Sequence, residues 1–504
     1  MPLTSPSTTA TYRYNRGVFV FLSALFGVRL VYLFLFPHGF VGDESYYWEW
    51  GRRLAWGYYS KPPLIGWLMG LSRLLGADTA ATLRLPALLM GTSSLGLLYL
   101  LSARLFGDRA GFWSVVLLAL NPGNTALNLM MTIDAPVLFF WSLALLCYWE
   151  TFFGENKGRA GWSLLLIVAL GLGYLSKQIM WGFPFLGLVH LFLQAEKRRW
   201  FLSPWLWLGL LASYAFLLPT VLWNSHHNWI MFQHTAHHID PSFGSFLKRS
   251  GVFFEFVGSQ LGIVSPVTFA FVGMALVVFG KTFKRQPPTV QFLWLFSAPG
   301  LLGFFCLALL QRVYPNWPAP FYTAGIILGT VWILSTPNAH RWLNRTAVVG
   351  GALVVLLYSL PFLTNACGLD GSKVDLFIRF RGWNQYAAKL ERIRDRLPRP
   401  EMTDFVVVGH RYHVCNLSFY SPRKPYALRW EDPHDVVFTQ YELWPGVPTR
   451  SKRDALIVAI GQNDFYSPDL WSRYEKVVPL GKFTISFKGG KNRHYHVYFA
   501  KGWD

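Results

Sequence analysis

Apolar residues run almost without interruption from Val18 to Phe36, and long apolar stretches separated by short polar loops recur as far as residue 365. A run of about 20 such residues crosses the hydrocarbon core of a bilayer as a helix. Further spans are predicted near 84–105, 110–127, 132–153, 161–176, 178–195, 203–223, 251–280, 290–311, 316–335 and 346–365, making about 11 in all. The first run is too long for a signal-peptide core and has no small-residue cleavage site, so it reads as a retained anchor. Arg13 and Arg16 precede it and place the N-terminus in the cytoplasm. After Asn365 the pattern changes: charges become frequent and short β-type runs follow at Phe405–Val408, Ala455–Val458 and His496–Phe499. Leu390, Ile393 and Leu397 have helical spacing among charges from Trp383 onward. The predicted fold is an α-helical polytopic membrane protein, residues 1–365, followed by a periplasmic α/β domain, residues 366–504, long enough to bury its own core.

Composition agrees. The chain of 504 residues is 53% hydrophobic and 17% aromatic but only 14% charged, against roughly 25% charged residues in soluble domains. A net charge of +20 would suggest nucleic acid in a soluble protein. Here the cations gather in the loops of Arg104/Arg109, Lys157/Arg159, Lys197/Arg198/Arg199, Lys281/Lys284/Arg285 and Arg341/Arg345, alternating with poorly basic loops. That is the positive-inside pattern, and it puts the C-terminus outside. Cys147 and Cys306 fall in predicted spans. Cys367 and Cys415 fall in the external segment, where oxidation is permitted, but two cysteines alone do not define a pairing.

The external loops hold polar groups that a membrane anchor does not need. The first carries Asp43 and Glu44 directly after a span, then Tyr46, Tyr47, Tyr58, Tyr59 and Lys61. A charge at a membrane boundary is costly unless hydrated, paired or used; Asp and Glu also open helices well. The second carries Asn124, Asn128, Thr132 and Asp134, and Asp134 with Pro136 two residues on also reads as a helix start. Lys177 lies in the third, His226, His227, His234, His237, His238 and Asp240 in the fourth, and Arg312 and Asn316 in the fifth. Lys61, Lys177 and Arg312 stand on the face where cations should be scarce. Snorkelling accounts for one such residue; three together suit a phosphate clamp facing a carboxylate base. His234, His237 and His238 have i, i+3, i+4 spacing, yet no Cys or Glu pattern completes a metal site, so no cofactor is expected and a divalent metal is the lesser alternative.

The order Asp43-Glu44, Tyr58-Tyr59-Ser60-Lys61-Pro62-Pro63 and Thr132-Ile133-Asp134-Ala135-Pro136 resembles the bacterial members of the dolichyl-phosphate-mannose protein mannosyltransferase superfamily. These are GT-C membrane glycosyltransferases, among them the aminoarabinose and galacturonic acid transferases that modify lipid A. Leu175-Ser176-Lys177, Trp223 to Trp229, Asn316-Trp317-Pro318-Ala319-Pro320 and Thr439 to Pro445 are similar to further family segments. The resemblance implies transfer of a sugar from a polyprenyl phosphate on the extracytoplasmic side to lipid A or lipopolysaccharide core. It implies Asp43 as the catalytic carboxylate, Asp134 as the second motif carboxylate and Glu44 as their neighbour. Lys61, Lys177 and Arg312 would hold the lipid phosphate, and Tyr46, Tyr47, Tyr58, Tyr59, His226, His227 and Asn316 would contact sugar or acceptor. The aminoarabinose transferases carry Arg where this chain has Tyr46 and Glu where it has Ser60, which separates it from that subgroup. Protein or polysaccharide acceptors are the enzymatic alternatives. A lipid-phosphate transporter is the non-enzymatic one, though no internal repeat of the transporter kind is evident.

Overall fold

The computed structural model describes residues 8–36, 39–76, 78–155, 158–237, 246–432, 437–461 and 463–503. The chain divides into two compact units: Met1–Leu35, Lys61–Ile65 and Ala81–Tyr358 form one, and Phe36–Ser60, Gly66–Ala80 and Ser359–Asp504 the other.

The first unit is helical. Tyr14–Leu35, Ala80–Phe106, Asp134–Phe152, Pro288–Leu310 and Ala339–Ala366 are each long and apolar enough to cross a membrane, five among the described residues, or seven if two bent pairs each count as one span. The expected spans at 161–176, 178–195 and 316–335 form shorter apolar helices, Arg159–Tyr174, Gln178–Leu193 and Ala319–Leu334. The run at 110–127 is divided between Asp108–Ala119 and Pro122–Leu129. The run at 251–280 is broken at Ser265, with a 105° bend between its halves. The cause is local: Ser265 takes a positive φ of 64°, Pro266 opens the next helix, and the Ser265 hydroxyl accepts the Thr268 N–H. A buried arginine also sits in the first apolar helix. Arg29 donates from Nη2 to Asn124 Oδ1 at 3.2 Å and Thr125 Oγ1 at 3.4 Å, so its charge is held by polar groups of the Pro122–Leu129 helix.

The second unit is built on a five-stranded sheet: β1 Thr403–Val408, β2 Leu428–Trp430, β3 Asp454–Ile460, β4 Lys476–Ser486 and β5 Asn492–Lys501. The order is β2-β1-β3-β5-β4, with β1 parallel to β2 and β3, and β5 antiparallel to β3 and β4. The three β-type runs of the sequence are β1, β3 and β5, and the expected helix is Trp383–Arg394. One face of the sheet packs Val406, Trp430, Ala455 and Ile457 into a core with Leu470 and Tyr474. The helix Arg411–Tyr420 follows β1 and packs against the Gly42–Arg52 helix of the first loop. Gly42 permits that approach, since a Cβ there would lie 2.3 Å from the Tyr412 ring. Ser45 Oγ donates to Asn416 Oδ1 at 2.6 Å, and the buried Cys415 thiol donates to the Gly42 carbonyl at 3.3 Å. All four cysteines are free, so no disulfide joins Cys367 to Cys415.

Candidate active site

In the helical unit, three sequence motifs converge on one carboxylate. Lys177 Nζ donates to Asp134 Oδ1 at 2.7 Å, and Asn316 Nδ2 donates to Asp134 Oδ2 at 2.7 Å. Asp134 is 3% exposed and Lys177 8%, so the pair is desolvated and its hydrogen bonds are charge-assisted. Asp134 does open the Asp134–Phe152 helix, as its sequence suggested, but its side chain makes no cap; it reaches across to Lys177 instead. Backbone geometry aims the lysine: Lys177 is extended, with φ −160°, between the end of Arg159–Tyr174 and the short helix Gln178–Gly182. Asn316 lies in a turn whose preceding carbonyl, that of Pro315, accepts Gln260 Nε2 at 3.0 Å. The Leu64 N–H donates to the Leu175 carbonyl at 3.0 Å, which ties the segment of half-buried Lys61 and buried Pro62 and Pro63 to Leu175-Ser176-Lys177. Arg312 is placed differently. It pairs with Glu255 at 2.9 Å, both side chains more than 60% exposed, and such surface pairs contribute about 0–1 kcal/mol.

The other unit carries Asp43. Its Oδ1 accepts the Tyr412 hydroxyl at 2.9 Å and Arg411 Nη2 at 3.3 Å, while 43% of the side chain stays exposed. Burial, and then the Asp43 charge, push the Tyr412 phenol up, so it donates to Asp43 as a neutral hydroxyl. Arg411 lies 5.0 Å over the Tyr46 ring. Tyr46 in turn accepts the Gln440 N–H through its hydroxyl at 2.6 Å, and Gln440 Oε1 accepts the Tyr59 N–H at 2.7 Å. Gln440 is held by a capping box in which Thr439 and Glu442 bond each other's groups, and Arg429 secures Glu442. Glu44 is fully buried and turns inward, accepting the Val41 N–H at 3.3 Å at the start of its own helix.

A family model described as dolichyl-phosphate-mannose-protein mannosyltransferase matches residues 60–223. The lipid A galacturonosyltransferase RgtD of Rhizobium johnstonii is 28% identical over 82% of this chain and 84% of its own length. The lipopolysaccharide core galacturonosyltransferase RgtA of the same organism is 24% identical over 81% of this chain and 73% of its own. Among solved structures, ArnT from Cupriavidus metallidurans bound to undecaprenyl phosphate shares the fold, with a TM-score of 0.63 and 18% identity, covering 95% of this chain and 98% of that one.

The chain is similar in sequence to membrane glycosyltransferases and shares the ArnT fold.

In this chain several expected sugar contacts are occupied by packing. Tyr58 is fully buried, stacks on Trp50 at 4.2 Å and donates its hydroxyl to the Trp50 carbonyl at 3.0 Å, closing the end of the Gly42–Arg52 helix. Tyr46 and Tyr47 are buried and pack on Trp50; Tyr59 is half-buried. His227 stacks on Trp223 at 3.9 Å and its Nδ1 lies 2.7 Å from the Trp223 carbonyl, leaving His226 exposed beside it. No group of three metal-ligating side chains comes together among the described residues. His238 and Asp240 lie outside them, as does the side chain of His237. Arg411, Tyr412 and Gln440 are the site residues that sequence reasoning missed. Only Gln440 carried a signal, through its place in the segment Thr439 to Pro445.

Proposed function

We propose that this chain moves a sugar, with inversion at C1, from a polyprenyl phosphate such as undecaprenyl phosphate to lipid A or lipopolysaccharide core. The reaction takes place on the periplasmic face of a bacterial inner membrane. Residues 1–365 form the membrane part in this reading, and residues 366–504 stand outside. The observation that carries it is the convergence of Asp134, Lys177 and Asn316, from three widely separated loops, on one buried charge-assisted cluster. The names of RgtD and RgtA, both aligned over most of their length, support a lipid A or core acceptor and a uronic acid as the sugar.

In the step itself, an acceptor oxygen attacks C1 as the C1–O bond to the phosphate breaks, and the polyprenyl phosphate leaves with both bonding electrons. Lys177, aligned by Asp134, and Lys61 meet the phosphate charge that grows as the bond breaks. Asn316 acts through Asp134 as a positioning residue. Asp43 takes the proton of a hydroxyl acceptor, and its half-exposed side chain leaves it accessible for this. Toward an already anionic phosphate acceptor it orients the reactants with Arg411. Arg312 is kept as a peripheral contact to the donor, since its guanidinium faces solvent. Glu44 supports the helix that carries Asp43.

The test uses purified protein with a panel of polyprenyl-phosphate sugars. Release of free polyprenyl phosphate is expected only when lipid A or core lipopolysaccharide is also present. Release at the same rate with no acceptor, or with none of the donors, would contradict the assignment.

A further inference from the structure

One cavity in the helical unit is lined by none of the candidate site residues above. It holds about 680 Å³ between the helices Asp134–Phe152, Arg159–Tyr174, Phe183–Leu193 and Pro204–Ala215. That is within the usual size range of small-molecule sites. Its lining changes character along its length. Arg159, Ser163, Ile167 and Leu170 recur at three- and four-residue spacing, so one face of one helix runs from a cation to pure hydrocarbon. Arg159 to Leu170 covers about 17 Å of helix, close to the roughly 15 Å depth of one bilayer leaflet.

The polar end is unsatisfied. Thr151 is 3% exposed, lines the cavity, and its hydroxyl has no partner among the described residues; Arg159 Nε has none either. Buried hydroxyls are ordinarily bonded, so each such group asks for an explanation. Cations crowd the same end. Lys197 lies 4.9 Å over the Phe153 ring, and its ammonium is pushed down first by burial and then by Arg159 and Arg199, with Glu196 only partly offsetting them. The guanidinium of Arg159 stands 5.6 Å from the Trp200 ring, which also lines the cavity.

We propose that this cavity binds one anionic glycerophospholipid, with its phosphate at Arg159, an ester carbonyl accepting the Thr151 hydroxyl, and an acyl chain along the Ser163–Leu170 face. The order of groups selects the lipid. A phosphate, then a carbonyl acceptor, then a single leaflet of hydrocarbon describes an acyl-ester phospholipid. A polyprenyl phosphate joins its chain to phosphate directly and offers Thr151 no carbonyl. The site is therefore distinct in chemistry from the donor site proposed above, and it stands whether or not that reading does.

The experiment uses full-length protein in nanodiscs of phosphatidylcholine with a minor fraction of phosphatidylglycerol, released into mild detergent and weighed intact by native mass spectrometry. One retained phosphatidylglycerol per chain is expected, about tenfold over phosphatidylcholine after correction for abundance. Arg159→Gln removes the charge. Gly209→Leu fills the apolar part, where an added Cβ has ordinary 3.6 Å contact with Ile167 and so fits without strain. Each is expected to lower retention about tenfold. The two variants act at opposite ends, so a folding defect in one does not imitate the result in the other. Equal retention of both lipids, retention unchanged in both variants, or one-for-one displacement by added undecaprenyl phosphate would overturn the proposal.

Discussion

Asp134 and Lys177 are both buried and each neutralises the other, so neither can be removed without leaving a bare charge. Breaking such a pair costs about 3–5 kcal/mol. Lys177→Met is therefore expected to lower the melting temperature of the purified protein and to abolish transfer. The double variant Lys177→Met, Asp134→Leu should recover most of the stability but none of the transfer. Recovery of transfer in the double variant would reduce the pair to a structural role. Asp43 is the opposite case. Half-exposed and bonded to Tyr412 and Arg411, it can lose its charge without burying another. Asp43→Asn should fold normally and lose about 10²- to 10⁴-fold in rate if the acceptor is a hydroxyl, read as initial rates beside an unchanged melting curve. Both aspartates were legible in the sequence because charges at membrane boundaries stand out against an apolar background. Their partners were not. Lys177 reaches Asp134 across 43 positions and Tyr412 reaches Asp43 across 369, separations at which only the folded chain sets the pairing.

At the level of elements, the helix Gly42–Arg52 is held from both ends, by Tyr58 under Trp50 at one and by Tyr412 against Gly42 at the other. The absence of a side chain at Gly42 is what lets the Tyr412 ring lie close enough to donate to Asp43. Gly42→Ala would force the ring aside, at a cost of about 1–3 kcal/mol. It should depress transfer, and Tyr412→Phe, which keeps the packing but loses the donor, should depress it less. A Gly42→Ala enzyme with full activity would detach this contact from catalysis. The same scale shows what hydrophobic patterning can and cannot read. β1, β3 and β5 were found because their buried apolar runs are continuous. β2 has three residues, and β4 is an edge strand, mostly exposed and interrupted by a bulge between Pro479 and Gly481, so neither presents a pattern. Likewise the apolar run at 251–280 hid a sharp bend, because hydropathy is blind to the Ser265 cap that makes it.

The molecule as a whole joins a multi-pass helical unit to a unit whose stability is expected to fall with pH through one buried histidine. His413 packs among Trp383, Tyr386 and Tyr495, and burial, then Arg493 and His410, push its imidazole down to about 3. A depressed folded value means stability is full above the unfolded value near 6.5 and is lost as pH falls toward 3. The expected loss is about 1.4 kcal/mol for each pH unit below 6.5 from this one group. Melting of the full-length protein in detergent should fall between pH 7 and pH 4.5, and His413→Gln should remove part of that slope; an identical slope would exclude His413 as its source. Membrane character was legible from composition. Grouping of residues 36–60 with 359–504 was not, since that depends on helix packing across more than 300 positions. The central claim is transfer from a polyprenyl phosphate to lipid A, and the most direct measurement is the mass of lipid A after incubation with the purified enzyme and undecaprenyl-phosphate sugars. A gain of one sugar with wild type, lost in both Asp43→Asn and Lys177→Met, is the predicted result. Unmodified lipid A with every donor, or the same gain in both variants, would contradict it.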